Sequence, residues 1–167
     1  MSQQAPGKGM GRVFMIVAWC AGLYLATQFF GRWEQRQDNP NTEVISQQGE
    51  GFIEVKLLAN VQGHFVASGR INNVPVEFLL DTGATDVAVP LDLAEQLALP
   101  KGAPVTLSTA NGRAQGYRTQ LASVGLGDIV LRDVRAIVVP GLEGEQVLLG
   151  MSSLKQLEFT QRGGNLL

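Results

Sequence analysis

Phe78-Leu79-Leu80-Asp81-Thr82-Gly83-Ala84 decides how this chain is read. Three apolar residues in a row stop abruptly on a carboxylate, as a buried strand does, and Thr-Gly-Ala continues as a tight loop. An Asp-Thr-Gly tripeptide is weak by itself, because chance supplies one in roughly a few per cent of chains this long at average composition. Its bland reading is a turn in which Asp81 accepts backbone N–H groups and Gly83 supplies a positive φ. That leaves a second pattern unexplained. Leu148-Leu149-Gly150-Met151 repeats the apolar-apolar-stop pattern further along. Between the two lies Asn111-Gly112, the dipeptide that provides the positive φ values of a two-residue hairpin turn.

Working outward, the pattern is one of short strands divided by turn residues. Phe52 to Leu58 is followed by a turn over Asn60 to Gly63, His64 to Ile71 by an Asn72-Asn73 turn, and Val74 to Leu80 runs into Asp81. Val87 to Val89 is a short strand, and Pro90 to Leu97 a brief helix with proline near its start. Pro104 to Ala110 and Arg113 to Val124 flank the Asn-Gly turn. Asp128 to Val139 is rich in β-branched residues, and Val147 to Leu149 is apolar. Leu157 to Thr160 and Asn165 to Leu167, beyond a helical turn near Ser152 to Gln156, complete an all-β class with barrel-like closure.

The N-terminal part follows other rules. Residues 1–12 read as a polar arm, 13–30 as a transmembrane anchor, 31–51 as a linker and 52–167 as the folded domain. Val13 to Phe30 is 18 residues without a charge. As a helix such a stretch spans about 27 Å, close to the hydrocarbon thickness of a bilayer. A cleaved signal fits less well, because the apolar run is long and Gln28 to Arg32 offers no small-x-small cleavage site. Lys8 and Arg12 precede the span and Arg32 and Arg36 follow it, so charge bias is nearly balanced. The short arm favours an N-terminus inside the inner, cytoplasmic membrane and a domain outside it, periplasmic or otherwise extracytoplasmic. The linker's Gln, Asn, Pro and Glu suit a flexible coil reaching roughly 25 Å.

Composition removes several kinds of chemistry. The net charge is -2, and from Ser46 onward 12 acidic residues outnumber 9 basic ones, so no cationic surplus exists to neutralise phosphates. Nucleic-acid binding is not expected. The only cysteine, Cys20, lies in the apolar stretch, and the only histidine, His64, opens a strand pattern as an edge or surface residue. No metal site or zinc enzyme is therefore expected, and a Ser-His-Asp hydrolase survives only if His64 is its base.

The Asp81 and Gly150 patterns, with a hairpin between them, resemble the retropepsin-type aspartic proteases, and more closely their single-domain, membrane-anchored bacterial members. The resemblance covers nearly all of residues 52–167. It implies a retropepsin-like closed β-barrel monomer that forms a two-fold homodimer, preceded here by one N-terminal transmembrane helix. It implies no cofactor, and a peptide or protein substrate bound as an extended strand. Asp81, Thr82 and Gly83 would be catalytic, with Thr82 bonding across the dimer axis. Ala84, Asp86, Ala110, Asn111, Gly112 and Gly150 would meet or frame the substrate, Asn111-Gly112 as the flap tip. Gly150 would let the second apolar strand pass tightly against the Asp81 loop. Thr85 departs from the viral pattern, which usually has Asp there, so the viral ion-pair network near the dyad is not carried over.

The chemistry agrees with the resemblance on separate grounds. Peptide hydrolysis without metal or covalent nucleophile needs one group to deprotonate water and another to polarise the carbonyl. Two carboxylates sharing a proton do both. This chain has one such Asp, and a two-fold axis would supply the second. Two other readings stay open at this point: a non-catalytic, membrane-tethered peptide-binding module, and a structural dimerisation domain.

Overall fold

Nothing between Val13 and Phe30 breaks or polarises a helix, and helix α1 (Lys8–Asp38) runs straight through the stretch. A computed structural model of the chain describes residues 8–109, 112–142, 144 and 146–167. The chain divides into two units, one ending at Gln37 and one running from Asp38 to Leu167. In the first, Trp19, Leu23, Tyr24 and Phe29 are exposed on all sides of α1. It is the one helix among the described residues long and apolar enough to cross a membrane.

The stretch 31–51, read from its composition as a linker, carries regular structure and buried residues. Helix α1 continues to Asp38. Asn39 and Asn41 are buried at 1% and 4% exposure. Strand β1 (Ser46–Gly49) pairs antiparallel with β2 (Phe52–Val55), Gly49 opposite Phe52. The polar composition that reads as coil belongs in part to buried amides that find hydrogen-bond partners inside the domain, an outcome composition alone does not reveal.

The remaining elements are β3 (Leu57–Leu58), β4 (Val66–Ile71), β5 (Val74–Leu80), β6 (Val87–Pro90), α2 (Leu91–Gln96), β7 (Pro104–Thr109), β8 (Gly112–Leu126), β9 (Ile129–Val139), β10 (Val147–Leu149), α3 (Met151–Leu154), β11 (Gln161–Arg162) and β12 (Asn165–Leu166). The fold is mostly β. Its main sheet has the order β4-β5-β10-β6-β9-β8-β7, and β8 also pairs with β4, so the strand order returns to its start. A smaller sheet has the order β11-β12-β3. Asn72 and Asn73 take φ values of 50° and 68°, which turns β4 into β5 with Ile71 opposite Val74. His64 is exposed, as expected. Leu157 to Thr160 is not a strand, although Thr160 and Leu167 exchange two backbone hydrogen bonds at the base of the last hairpin.

What places the site is the middle of the main sheet. β10 lies parallel to β5, pairing Val147, Leu148 and Leu149 with Phe78, Leu79 and Leu80. On its other side Leu148 faces Ala88 of β6. Phe78, Val87, Val89, Val134, Val138 and Val147 are completely buried, so these short strands are held by the core they share. Apolar runs without alternation are what strands covered on both faces require.

Candidate active site

The parallel register of β5 and β10 brings the two sequence patterns to one place. Leu80 lies opposite Leu149, so Asp81 and Gly150 are the next residues out on neighbouring strands. The Asp81 N–H still donates to Leu149 O at 3.2 Å, which extends the ladder by one step. Beyond that the two loops lock together through backbone. Met151 N–H donates to Ala84 O at 2.8 Å, and Ser152 N–H to Thr85 O at 2.9 Å.

Both glycines are there for close approach rather than for an unusual φ. A Cβ on Gly150 would overlap the carbonyl oxygen of Asp86 and lie 2.8 Å from that of Ala84, so only glycine fits between β10 and the Asp81 loop. Gly83 does not take a positive φ, contrary to the turn reading. A Cβ on it would stand 3.1 Å from Asp81 Oδ1. Its backbone N–H instead donates to that oxygen at 2.8 Å. One carboxylate oxygen is thereby oriented, and among the described residues Oδ2 takes no hydrogen bond. Asp81 is half-buried while Thr82 and Gly83 are exposed, so the loop presents itself outward.

The structure thus gathers Asp81, Thr82, Gly83, Ala84, Asp86 and Gly150 into one loop pair. Asp86 carries the charge contact nearest to it. Arg135 Nη2 of β9 stands 3.9 Å from Asp86 Oδ1, a buried oxygen that takes no hydrogen bond among the described residues. Of the expected flap, Gly112 lies opposite Thr109 at the end of the β7–β8 ladder with φ at 110°. Ala110 and Asn111 fall outside the described residues.

Sequence reasoning missed Ser152. Its buried hydroxyl accepts from Val87 N–H at 3.0 Å and donates to Arg135 O at 2.8 Å, tying α3 to β6 and β9 directly behind the loops. Ser153 Oγ donates to Gly150 O at 2.8 Å and closes the first turn of α3. Two serines directly after Gly150-Met151, in an otherwise apolar stretch, were the available signal.

A family model described as "gag-polyprotein putative aspartyl protease" matches residues 67–156, more than half of the chain. The crystal structure of a retropepsin-like aspartic protease from Rickettsia conorii is 30% identical. The match has a TM-score of 0.56 and covers 66% of this chain and 94% of that one. The chain belongs to the retropepsin-like aspartic protease family. Peptidase chemistry is the activity this family implies, and the loop pair just described is where the family's Asp-Thr-Gly pattern falls. An uncharacterized protein in the cobV 5′ region of a Sinorhizobium species is 35% identical over 125 residues, or 73% of this chain. An uncharacterized protein of Rickettsia prowazekii (strain Madrid E) is 31% identical over 109 residues, or 63% of this chain. The chain spans about half the length of these two curated relatives, 54% and 46%.

Proposed function

We propose that this protein is a membrane-anchored aspartic endopeptidase in which a water molecule is activated between the Asp81 carboxylates of two identical subunits. The observation that carries the reading is the Asp81 carboxylate itself. It stands at the end of β5, just beyond the buried Phe78 and the half-buried Leu79 and Leu80, with one oxygen held by the Gly83 N–H and the other without a hydrogen bond among the described residues. One such group cannot take a proton from water and give one to the carbonyl oxygen in the same step. A second copy across a two-fold axis completes the pair.

In the singly protonated pair, the ionised carboxylate takes a proton from water as the oxygen attacks the peptide carbonyl. The protonated one gives its proton to the carbonyl oxygen. The tetrahedral species then collapses with proton transfer to the leaving nitrogen. Thr82 and Gly83 hold the pair, while Ala84, Asp86 and Gly150 form the floor beneath an extended substrate strand. The β7–β8 hairpin acts as the flap that covers that strand and excludes water, the role the family resemblance gives to Ala110, Asn111 and Gly112.

A homodimer is also favoured by the surface next to Asp81. Leu80 lines an apolar groove of about 610 Å³ together with Phe52, Ile53, Leu157, Phe159 and Leu167. Phe52, Phe159 and Leu167 are 59%, 44% and 41% exposed, apolar area that a second copy would cover. Helix α1 supports anchoring in the inner membrane, with the catalytic domain on the periplasmic side. Confinement to a membrane raises the effective concentration of subunits for one another.

The test uses the full chain in detergent micelles with a peptide library from pH 3 to 8, beside Asp81→Ala. Cleavage on the acidic side of neutral, unaffected by chelators and absent from the variant, is the expected result. Equal cleavage by the variant would end the proposal.

A further inference from the structure

At the end of the β5–β10 pairing away from Asp81, Glu77 in the middle of β5 and Gln146 just before β10 sit one residue before the paired Phe78 and Val147. Their side chains meet across the two strands. Gln146 Nε2 donates to Glu77 Oε1 at 2.5 Å, and Asn39 Nδ2 donates to Glu77 Oε2 at 2.7 Å. Asn39 also approaches Ser68 Oγ of β4 at 3.2 Å, and its Oδ1 accepts the Asn41 N–H at 2.9 Å. Asn41 is fastened in turn. Its Nδ2 donates to Leu58 O at 2.9 Å and Val66 O at 2.6 Å, and its Oδ1 accepts from Leu58 N–H at 2.7 Å. Its backbone lies alongside Ala67 and accepts from Ser68 N–H at 3.0 Å. Every amide hydrogen of the two buried asparagine side chains therefore has an acceptor.

This network adds a side-chain hold at the end of β10 away from the Asp81 loop, where the backbone lock of Met151 and Ser152 does not reach. β10 has three residues, and only Leu148 pairs on its far side. A slip of one residue along β5 would turn each of its side chains to the other face and draw Gly150 out from beneath the carbonyls of Ala84 and Asp86. Glu77 lies four residues before Asp81, about 13 Å away along a strand. It acts on the reaction only through the strands.

We propose that Glu77, gripped by Asn39, is a positioning residue: its carboxylate pins β10 to β5 and so seats Gly150 against the Asp81 loop. The residues just after helix α1 are then a working part of the catalytic unit. The effect on cleavage rests on the reading of Asp81 given above, whereas the effect on the strands does not.

The experiment compares wild type, Glu77→Val, Glu77→Gln, Asn39→Leu and the double variant Asn39→Leu/Glu77→Val, as full chains in detergent, below their melting temperatures. Peptide cleavage and site-resolved amide hydrogen exchange are both read. Glu77→Val removes the strap, and kcat falls by about tenfold or more with KM nearly constant. Glu77→Gln restores it to within about threefold of wild type, because Gln146 turns its amide and the chain of donors and acceptors closes again. The double variant is no worse than Glu77→Val, since the two residues act as one unit. In parallel, the Asp81 and Met151 N–H groups exchange faster in Glu77→Val, while amides in the β8–β9 ladder do not. A wild type that cleaves nothing defeats the aspartic-protease reading, and the exchange pattern still decides the strap. Unchanged exchange at Asp81 and Met151 in Glu77→Val overturns this proposal, and so does a Glu77→Gln variant as impaired as Glu77→Val.

Discussion

The two ends of the β5–β10 pair are held by opposite means. At the Asp81 end the contacts are backbone to backbone, between Asp81 and Leu149, Met151 and Ala84, and Ser152 and Thr85, and two glycines keep the space clear of side chains. At the Glu77 end the contacts are side chain to side chain, with a carboxylate between two amides. A loop fixed by its backbone leaves its side chains free for chemistry. The end that does no chemistry uses up its polar side chains in holding the strands.

The sharpest way to break this contrast is at Asp81, whose carboxylate has one oxygen held by the Gly83 N–H and the other without a hydrogen bond among the described residues. Asp81→Asn is isosteric and keeps an oxygen for the Gly83 N–H, so the fold persists. Turnover should fall by roughly 10²- to 10⁴-fold, the span of a lost general acid or base. Peptide-cleavage rates beside circular-dichroism melts check both halves, and cleavage near the wild-type rate refutes the assignment. The neighbouring backbone should respond in the other way. Gly150→Ala drives a methyl into the Asp86 carbonyl and should cost about 3 kcal/mol, at the upper end for overpacking, seen as a lower urea midpoint. A midpoint unchanged from wild type would mean that the two loops are not locked as described.

At the other end, Asn41→Ala strips the partner from Leu58 N–H, Leu58 O and Val66 O together. We expect a loss of about 2 kcal/mol by urea unfolding, since buried backbone groups are left unsatisfied. A neutral result would show that the segment after α1 does reach domain-free solvent, as the linker reading had it. The smallest effect belongs to the long contact that the exposed Arg135 makes with the partly buried Asp86. Arg135 is 65% exposed and stands 3.9 Å from Asp86, so Arg135→Ala should shift stability by less than about 1 kcal/mol. A larger loss would make that pair a structural element rather than a rim contact.

The same contrast accounts for what the sequence disclosed. Backbone-determined features leave a local trace: Leu79-Leu80-Asp81-Thr82-Gly83 and Leu148-Leu149-Gly150 are contiguous, and Asn72-Asn73 marks a turn by its residues alone. The order of the strands and the parallel pairing of β5 with β10 leave no such local trace. The Asn39–Glu77–Gln146 network joins residues separated by 38 and 69 positions. None of them differs by type from a solvated polar residue, so Asn39 and Asn41 read as linker. Ser152 escaped notice for the same reason, its two partners being backbone groups far away in sequence. The bland turn reading would give Gly83 a positive φ, whereas its backbone takes none and its N–H donates to the Asp81 carboxylate.

The central claim, that each active site needs Asp81 from two chains, is tested most directly by mixing. Wild-type and Asp81→Asn chains are combined in detergent at fixed total concentration, allowed to exchange subunits, and assayed for peptide cleavage at each ratio. If both carboxylates are required, activity follows the square of the wild-type fraction, and an equal mixture retains about one quarter of the full rate. A straight-line decline, with about half the rate at equal mixture, would show that one chain works alone and would contradict the account.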